Sequence, residues 1–267
     1  MKNKIETQWL LIRGLGREAR HWGDFPEQMK KMMEEEFGET RVDAIDLPGA
    51  GRFSEMRAPI TMLGLTEFVR EKHLEIRERQ RQMGFTPASK TYLLAVSLGG
   101  MVAAQWMDRW PNDLQGCVLV NTSFKGFSPM FKRLSPPALQ HLFRIFSAKE
   151  VVKAELGVLR MVSNRPEIYE DTARDWAKLQ MDRPVSFENF ARQLLAAATF
   201  STALEKPACP VLVLNSAKDR MVDPSCSRVI AERWNLPLVQ HPTAGHDLPL
   251  DDGPWIIEQT RAFLKKK

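Results

Sequence analysis

The sequence of 267 residues contains only three cysteines and no long apolar run. Cys117, Cys209 and Cys226 are odd in number and form no C-x-x-C pair, which argues against a disulfide framework and against a zinc site. No run approaches the roughly 20 apolar residues of a membrane span. Residues 1–8 are mostly polar and lack the apolar core of a signal peptide. We therefore expect a soluble, cytoplasmic protein.

The sequence also lacks a concentrated block of one charge. Its formal net charge is +5, but lysine and arginine are interspersed with glutamate along the chain. The one purely basic run, residues 265–267, is typical of a solvated tail. We expect neither nucleic acid nor a membrane as partner, and a monomer or a homodimer.

Short apolar runs alternate with helical patterns. With 43% hydrophobic and 27% charged residues the chain resembles an ordinary globular protein, and its length suits one large domain. Methionine and phenylalanine recur at i, i+3, i+4 and i+8 from Met29, which predicts an amphipathic helix. The alternation predicts a mostly parallel sheet flanked by helices, with ligands bound beyond the carboxyl ends of its strands. The predicted strands are 9–12, 42–45, 92–96, 117–120 and 211–214.

Residues 124–184 interrupt this alternation. They show no convincing strand, but they contain helical segments at 138–146, 148–161 and 168–179, separated by prolines. We interpret them as a helical insertion between two core strands, with the core formed by 1–123 and 185–267. Too few residues precede the strand at Trp9 for an antiparallel hairpin, so we expect only six or seven strands.

The segment 92–104 carries the strongest chemical signal. An apolar strand leads directly into Ser97, a small-residue turn and a helix. A serine at such a turn is held in a strained conformation with its hydroxyl exposed, and the flanking positions must be small because strand and helix approach closely. Here those positions are Ala95 and Gly99. The competing interpretation is a serine that merely caps the helix.

This turn resembles the nucleophile turn of the α/β-hydrolase fold family, in which glycine is usual where Ala95 stands. Two later segments are similar to that family in the order it uses. Residues 210–224 resemble the strand and loop that carry the acid, matched by Asp219, while Asp223 is better suited to cap the next helix. Residues 242–247 resemble the histidine loop before a final helix at 255–264, matched by His246.

A glycine loop after the first strand also resembles the family. Residues 10–16 contain Arg13-Gly14-Leu15, and the family usually has histidine in place of Arg13. Carried over, the backbone N–H groups of Leu15 and Leu98 would form an oxyanion hole. For Arg13 two roles stay open: an ion pair with a nearby carboxylate, or recognition of a carboxylate or phosphate on the substrate.

The resemblance implies an α/β-hydrolase fold with a helical cap after the strand that corresponds to the family's sixth. It implies a serine hydrolase that cleaves a small-molecule carboxylic ester or thioester through an acyl-enzyme on Ser97. His246 would be the general base and Asp219 the acid that orients it. Such a mechanism needs no metal and no organic cofactor.

Two other functions compete with this one. Gly14-x-Gly16-x-x-Ala19 imitates a dinucleotide fingerprint, but Asp46 lies 30 residues beyond Gly16 (46 − 16) rather than about 20. The turn that begins at Asp46 instead resembles a structural turn of the hydrolase family. The same fold also supports lyases, haloperoxidases and ligand-binding proteins. A haloalkane dehalogenase is disfavoured, because its nucleophile would be an aspartate where Ser97 stands.

Overall fold

A computed structural model describes residues 5–146, 148–202 and 205–266. Residues 1–4 of the short segment before the first strand, and Lys267 of the basic tail, lie outside these ranges.

Within the described ranges the chain forms one six-stranded sheet in which every neighbouring pair is parallel. The strand order is β2-β1-β3-β4-β5-β6, which confirms the predicted number and direction of strands. All five predicted runs are strands, and the sixth is a short, half-exposed edge strand that the apolar pattern does not reveal. The strands are β1 (Thr7–Ile12), β2 (Thr40–Ile45), β3 (Lys90–Val96), β4 (Gly116–Val120), β5 (Val211–Ser216) and β6 (Leu238–His241).

Each helix that the sequence predicts is present, and the short helix at Met130–Arg133 is one that it does not predict. One boundary was wrong: the last helix begins at Leu248 instead of residue 255, because a kink at Asp252 and the internal Pro254 interrupt its pattern. The helices are α1 (Phe25–Phe37), α2 (Met62–Gln82), α3 (Leu98–Arg109), α4 (Met130–Arg133), α5 (Pro136–Phe146), α6 (Val151–Val162), α7 (Tyr169–Asp182), α8 (Phe187–Thr199), α9 (Ser225–Trp234) and α10 (Leu248–Lys265).

The core lies on both faces of the sheet. Leu10 and Ile12 of β1 pack toward α2, α3 and α9, whereas Trp9 and Leu11 pack toward α1 and α10. This alternation follows from the two-residue period of a strand. Because both faces are buried, β1 is continuously apolar from Trp9 to Ile12.

The long stretch between β4 and β5 is helical and has its own apolar cluster. Side chains of α5, α6 and α7 pack together and against Met221, Val222 and Cys226 beside the start of α9. The last helix of this stretch, α8, instead returns Ala196 and Ala197 to the core beside α2 and α3.

The strand order places a crevice at the carboxyl edge of the sheet. From β1 the chain moves to one side to form β2 and then to the other side to form β3, so the loops after β1 and β3 diverge. Open α/β sheets bind ligands at such a switch point. Among the described helices, none has the length and apolar content that crossing a bilayer requires.

Candidate functional site

Ser97 lies in a strained turn between β3 and α3. Its backbone angles are φ 54° and ψ −115°, a combination that a residue with a side chain rarely adopts. The turn is held by its backbone N–H, which donates to Val120 O at 2.9 Å, and by its carbonyl, which accepts from Thr122 Oγ1 at 2.7 Å. The Ser97 side chain makes no capping hydrogen bond to α3. Helix capping therefore does not account for this serine.

Glycines let three backbone segments meet around Ser97. A Cβ atom on Gly99 would lie 2.5 Å from Ile12 O, and one on Gly100 would lie 2.6 Å from Thr122 Cβ. A Cβ atom on Gly14 would lie 3.7 Å from Ser97 Oγ. The loop after β1 therefore lies directly beside the serine hydroxyl.

Asp219 and His246 form a buried pair at the same edge of the sheet. Asp219 follows β5, and its Oδ2 lies 2.7 Å from His246 Nδ1. Its Oδ1 accepts from the N–H groups of Met221 and Val222 at 2.8 and 2.9 Å, which fixes the carboxylate. Asp223 instead accepts from Ser225 N at 2.8 Å at the start of α9.

The charge state of His246 reflects competing effects. Burial lowers the pKa of His246, whereas the negative charge of Asp219 and its hydrogen bond raise it. Asp247 also raises this pKa and Arg13 lowers it, and the net result is a pKa above the ordinary value for histidine. Within the described residues no hydrogen bond joins Ser97 Oγ to His246, but both side chains line one cavity. Such contacts are often long in unliganded sites and tighten when substrate binds.

Asn121 joins the end of β5 to the histidine loop, and the sequence analysis did not identify it. It directly follows β4 and has a positive φ of 47°. Its Nδ2 donates to His246 O at 2.8 Å, and its Oδ1 accepts from Ser216 N at 2.8 Å. A polar residue at the carboxyl end of the buried strand β4 is the signal that could have found it.

The two predicted oxyanion donors belong to segments that adjoin Ser97: Leu98 follows it in the chain, and Leu15 follows Gly14, which lies beside the serine side chain. Leu98 is the first residue of α3, where a helix leaves its N–H groups unsatisfied. Within the described residues, no hydrogen bond uses the N–H of Leu15 or of Leu98. Gln193 of α8 steadies the glycine loop: its Oε1 accepts from Gly16 N at 3.0 Å, and its Nε2 donates to Pro48 O at 2.9 Å.

Arg13 is buried and paired with an acid. Its Nη1 and Nη2 donate to the two carboxylate oxygens of Asp247 at 3.0 and 2.5 Å. The two residues are 3% and 5% exposed, and the guanidinium lies 4.9 Å from the ring centroid of Trp22. The planar end of Arg13 is thus already engaged by a carboxylate of the protein.

A cavity of about 260 Å³ extends from Ser97 and His246 toward the helices that follow β4. Leu15, Arg13 and Asp247 also line it, close to the serine. Farther out the wall is mainly apolar, and its members include Leu142, Ile145, Val151, Val158, Met161 and Phe190. Arg17 and Glu155 add an ion pair of 2.9 Å to this wall, and Gln180 adds an amide.

The other candidate residues have structural partners. The carboxylate of Asp46 accepts from Ala19 N at 2.5 Å, in the segment after β1, and from Arg52 N at 2.9 Å, in its own turn, so both of its oxygens are bound by backbone donors. This geometry is that of a structural turn and offers nothing to a ribose. The described residues contain no group of three or more His, Cys, Asp or Glu side chains that could hold a metal ion.

A model of the alpha/beta hydrolase family matches residues 9–258, so the chain belongs to this family. A comparison with curated proteins finds no match.

Several solved structures share the fold. A hydrolase from Pseudomonas aeruginosa PA01 is 20% identical with a TM-score of 0.73, covering 97% of this chain and 90% of that one. A thermophilic esterase from Thermogutta terrifontis is 22% identical with a TM-score of 0.67, covering 99% and 91%. An enol-lactonase from Burkholderia xenovorans LB400 is 16% identical with a TM-score of 0.71, covering 97% and 92%. At these identities the likeness shows the fold alone.

Proposed function

We propose that the chain is a serine hydrolase that cleaves a carboxylic ester or thioester of a small substrate through an acyl-enzyme on Ser97. One observation carries the proposal: the strained Ser97, the glycine loop and His246 border one cavity, and His246 is oriented by the buried Asp219. A weakly nucleophilic serine needs a base beside it and donors for the charge that develops on the carbonyl oxygen.

The proposed mechanism has two acyl-transfer steps. Ser97 Oγ attacks the carbonyl carbon while His246 Nε2 takes its proton, and the N–H groups of Leu15 and Leu98 stabilise the oxyanion. His246 then protonates the leaving alcohol or thiol, which departs and leaves the acyl-enzyme. Water activated by His246 releases the acid and restores the serine. Asp219 holds the imidazole in the tautomer that carries its proton on Nδ1.

The cavity supports an uncharged substrate with an apolar group of modest size. Its walls beyond the serine come mainly from apolar side chains of α5, α6 and α8. We propose that the helical insertion, residues 124–184, acts as a cap that shapes this pocket. For Arg13, its two hydrogen bonds to Asp247 favour the ion-pair role over recognition of an anionic substrate.

The decisive experiment compares Ser97→Ala with the unmodified enzyme. We expect loss of p-nitrophenyl butyrate hydrolysis and of labelling by a fluorophosphonate probe, with little change in the melting temperature. Thr61→Ala is the matched control, because Thr61 caps α2 through its side chain and lies outside the cavity lining. It should cost about 1 kcal/mol of stability and retain activity. Near-full turnover by Ser97→Ala would overturn the proposal.

A substrate series tests the class of ester. p-Nitrophenyl esters of increasing acyl length, matched thioesters and an acidic half-ester are compared by kcat/KM. We expect a preference for neutral, apolar acyl groups that fit the cavity. A clear preference for the acidic half-ester would contradict the proposed substrate class while leaving the role of Ser97 intact.

A further inference from the structure

We infer that Arg13 and Asp247 are a positioning pair that joins the loop after β1 to the histidine loop and keeps the surroundings of His246 electrically balanced. The inference rests on the proposed function. It goes beyond the triad because neither residue transfers a proton or attacks the substrate.

The position of the pair along the chain is the first support. Arg13 follows the last residue of β1 and directly precedes Gly14 and Leu15, the proposed oxyanion loop. Asp247 directly follows His246 and stands at the start of α10. Although 234 residues separate the two, both oxygens of the carboxylate are bonded to the guanidinium. Two parallel hydrogen bonds fix both the separation and the relative orientation of two planar groups.

The surroundings leave the pair few other partners. Among the described residues, the carboxylate of Asp247 accepts side-chain hydrogen bonds from Arg13 alone. The backbone N–H of Asp247 donates to Val162 O at 2.7 Å, which holds the histidine loop against the end of α6. A buried ion without its partner is strongly unfavourable. Loss of either side chain should therefore move the other, and with it one wall of the site.

Charge gives the second support. The charged groups that act on His246 are Asp219 from the loop after β5, Asp247 from its own loop and Arg13 from the end of β1. Asp247 raises the pKa of His246 and Arg13 lowers it, so the intact pair acts with two opposing effects. Removing one member leaves the effect of the other uncompensated.

The test uses Arg13→Met, Asp247→Asn and the double variant, with kcat/KM for p-nitrophenyl butyrate measured against pH. His246 must be neutral to act as base, so activity falls as the pH drops through its pKa. Arg13→Met removes a positive charge and should move this acid limb to higher pH by about half a unit or more, and Asp247→Asn should move it to lower pH by a similar amount. The double variant should return the limb close to its original position. Its kcat should still be lower by about tenfold, since the link between the loops is lost.

Arg13→Lys covers the case in which Arg13→Met does not fold. It keeps the charge but cannot bond both carboxylate oxygens in one plane, so the acid limb should stay in place while kcat falls. Arg174→Met is the matched control, because Arg174 forms exposed pairs with Glu170 and Asp171, and it should leave both quantities unchanged.

Three outcomes would overturn the inference. An acid limb that stays fixed in both single variants, with normal kcat per fluorophosphonate-titrated site, would mean that the pair only stabilises the fold. A rise in KM confined to an acidic half-ester in Arg13→Met would assign Arg13 to substrate binding. The third is an imidazole pKa of His246 that Arg13→Met and Asp247→Asn leave unchanged. This pKa is measured by NMR titration with each change made in the Ser97→Ala background. Because that titration needs no turnover, it separates failure of this inference from failure of the proposed function.

Discussion

The sheet and the helical stretch between β4 and β5 contribute to the site in different ways. The sheet positions the residues of the proposed site at the ends of its strands: Ser97 after β3, Asp219 after β5 and Arg13 after β1. Their positions follow from the direction and order of the strands. The helical stretch supplies mainly apolar wall, and it contacts the rest of the chain through apolar packing as well as through long-range polar links.

One group of these polar links lies where α6 meets α7. Asp251 of α10 accepts from Ser163 Oγ at 2.6 Å, from Asn164 N at 3.0 Å and from Gly245 N at 2.6 Å. This end of the helical stretch is therefore bound to the histidine loop. Backbone geometry therefore positions the proposed reacting groups at the sheet, whereas side-chain contacts, both apolar and polar, hold the helical wall in place.

Among the predicted changes, substituting Asp219, the proposed acid after β5, should have the largest effect on turnover. Asp219→Asn keeps an acceptor for Met221 N and Val222 N, but its amide would face His246 Nδ1 and favour the wrong tautomer. We expect turnover to fall by roughly 10³–10⁴-fold with the fold intact. Asp223→Asn is the control, because the asparagine side chain can still accept from Ser225 N and the variant should stay active. If Asp223→Asn is the more damaging change, the acid has been misassigned.

Replacing one glycine by alanine in each region tests whether a new methyl group costs more stability against backbone atoms than against side-chain atoms. In Gly99→Ala the new Cβ would meet Ile12 O at 2.5 Å, and backbone on both sides cannot yield easily. We expect a loss of about 2–3 kcal/mol in unfolding free energy, measured by urea denaturation. In Gly157→Ala the new Cβ would lie 3.2 Å from Ile145 Cγ1, a side-chain atom that can shift. There the gain in helix propensity, about 1 kcal/mol, should offset the contact. Equal losses in the two variants would refute this distinction.

The sequence predicts features that depend on neighbouring residues better than contacts between residues far apart in the chain. The strand, small-residue turn and helix around Ser97 are local, so their pattern predicts the turn, and five of the six strands follow from apolar runs. The edge strand β6 was missed because it is short and half-exposed. Asp247 was not recognised as the partner of Arg13, because that contact spans 234 residues. The kink in α10 hid its first turns for a local reason, Pro254.

Substituting Asp251 should lower activity less than substituting Asp219 does, but it should lower stability more than removing an exposed ion pair does. Asp251→Ala would leave the buried N–H of Gly245 without its acceptor, so we expect a loss of about 2 kcal/mol in unfolding free energy together with lower kcat. Asp251→Asn can keep the backbone contacts through its carbonyl oxygen, so its stability and kcat should lie between those of the unmodified protein and those of Asp251→Ala. Asp175→Ala, which removes an exposed pair with Lys178, is the control and should be close to neutral. Normal kcat in a destabilised Asp251→Ala would show that the histidine loop is held by other contacts.

The smallest effect is expected where the wall meets the loop after β1. Glu155 of α6 lies 2.9 Å from Arg17, which also stacks 4.5 Å from the ring centroid of Trp176. Glu155→Gln keeps the shape and one acceptor, and the stacking on Trp176 remains, so stability should fall by only about 1 kcal/mol. Because both residues line the cavity, the change should appear mainly as a higher KM for the longest acyl esters, with kcat for p-nitrophenyl acetate preserved. Glu150→Gln, at an exposed pair with Lys153, is the matched control and should change neither quantity. A drop in kcat for p-nitrophenyl acetate in Glu155→Gln would mean that this ion pair helps to position the reacting groups themselves. In that case the helical stretch would contribute to catalysis and not only to the lining of the cavity.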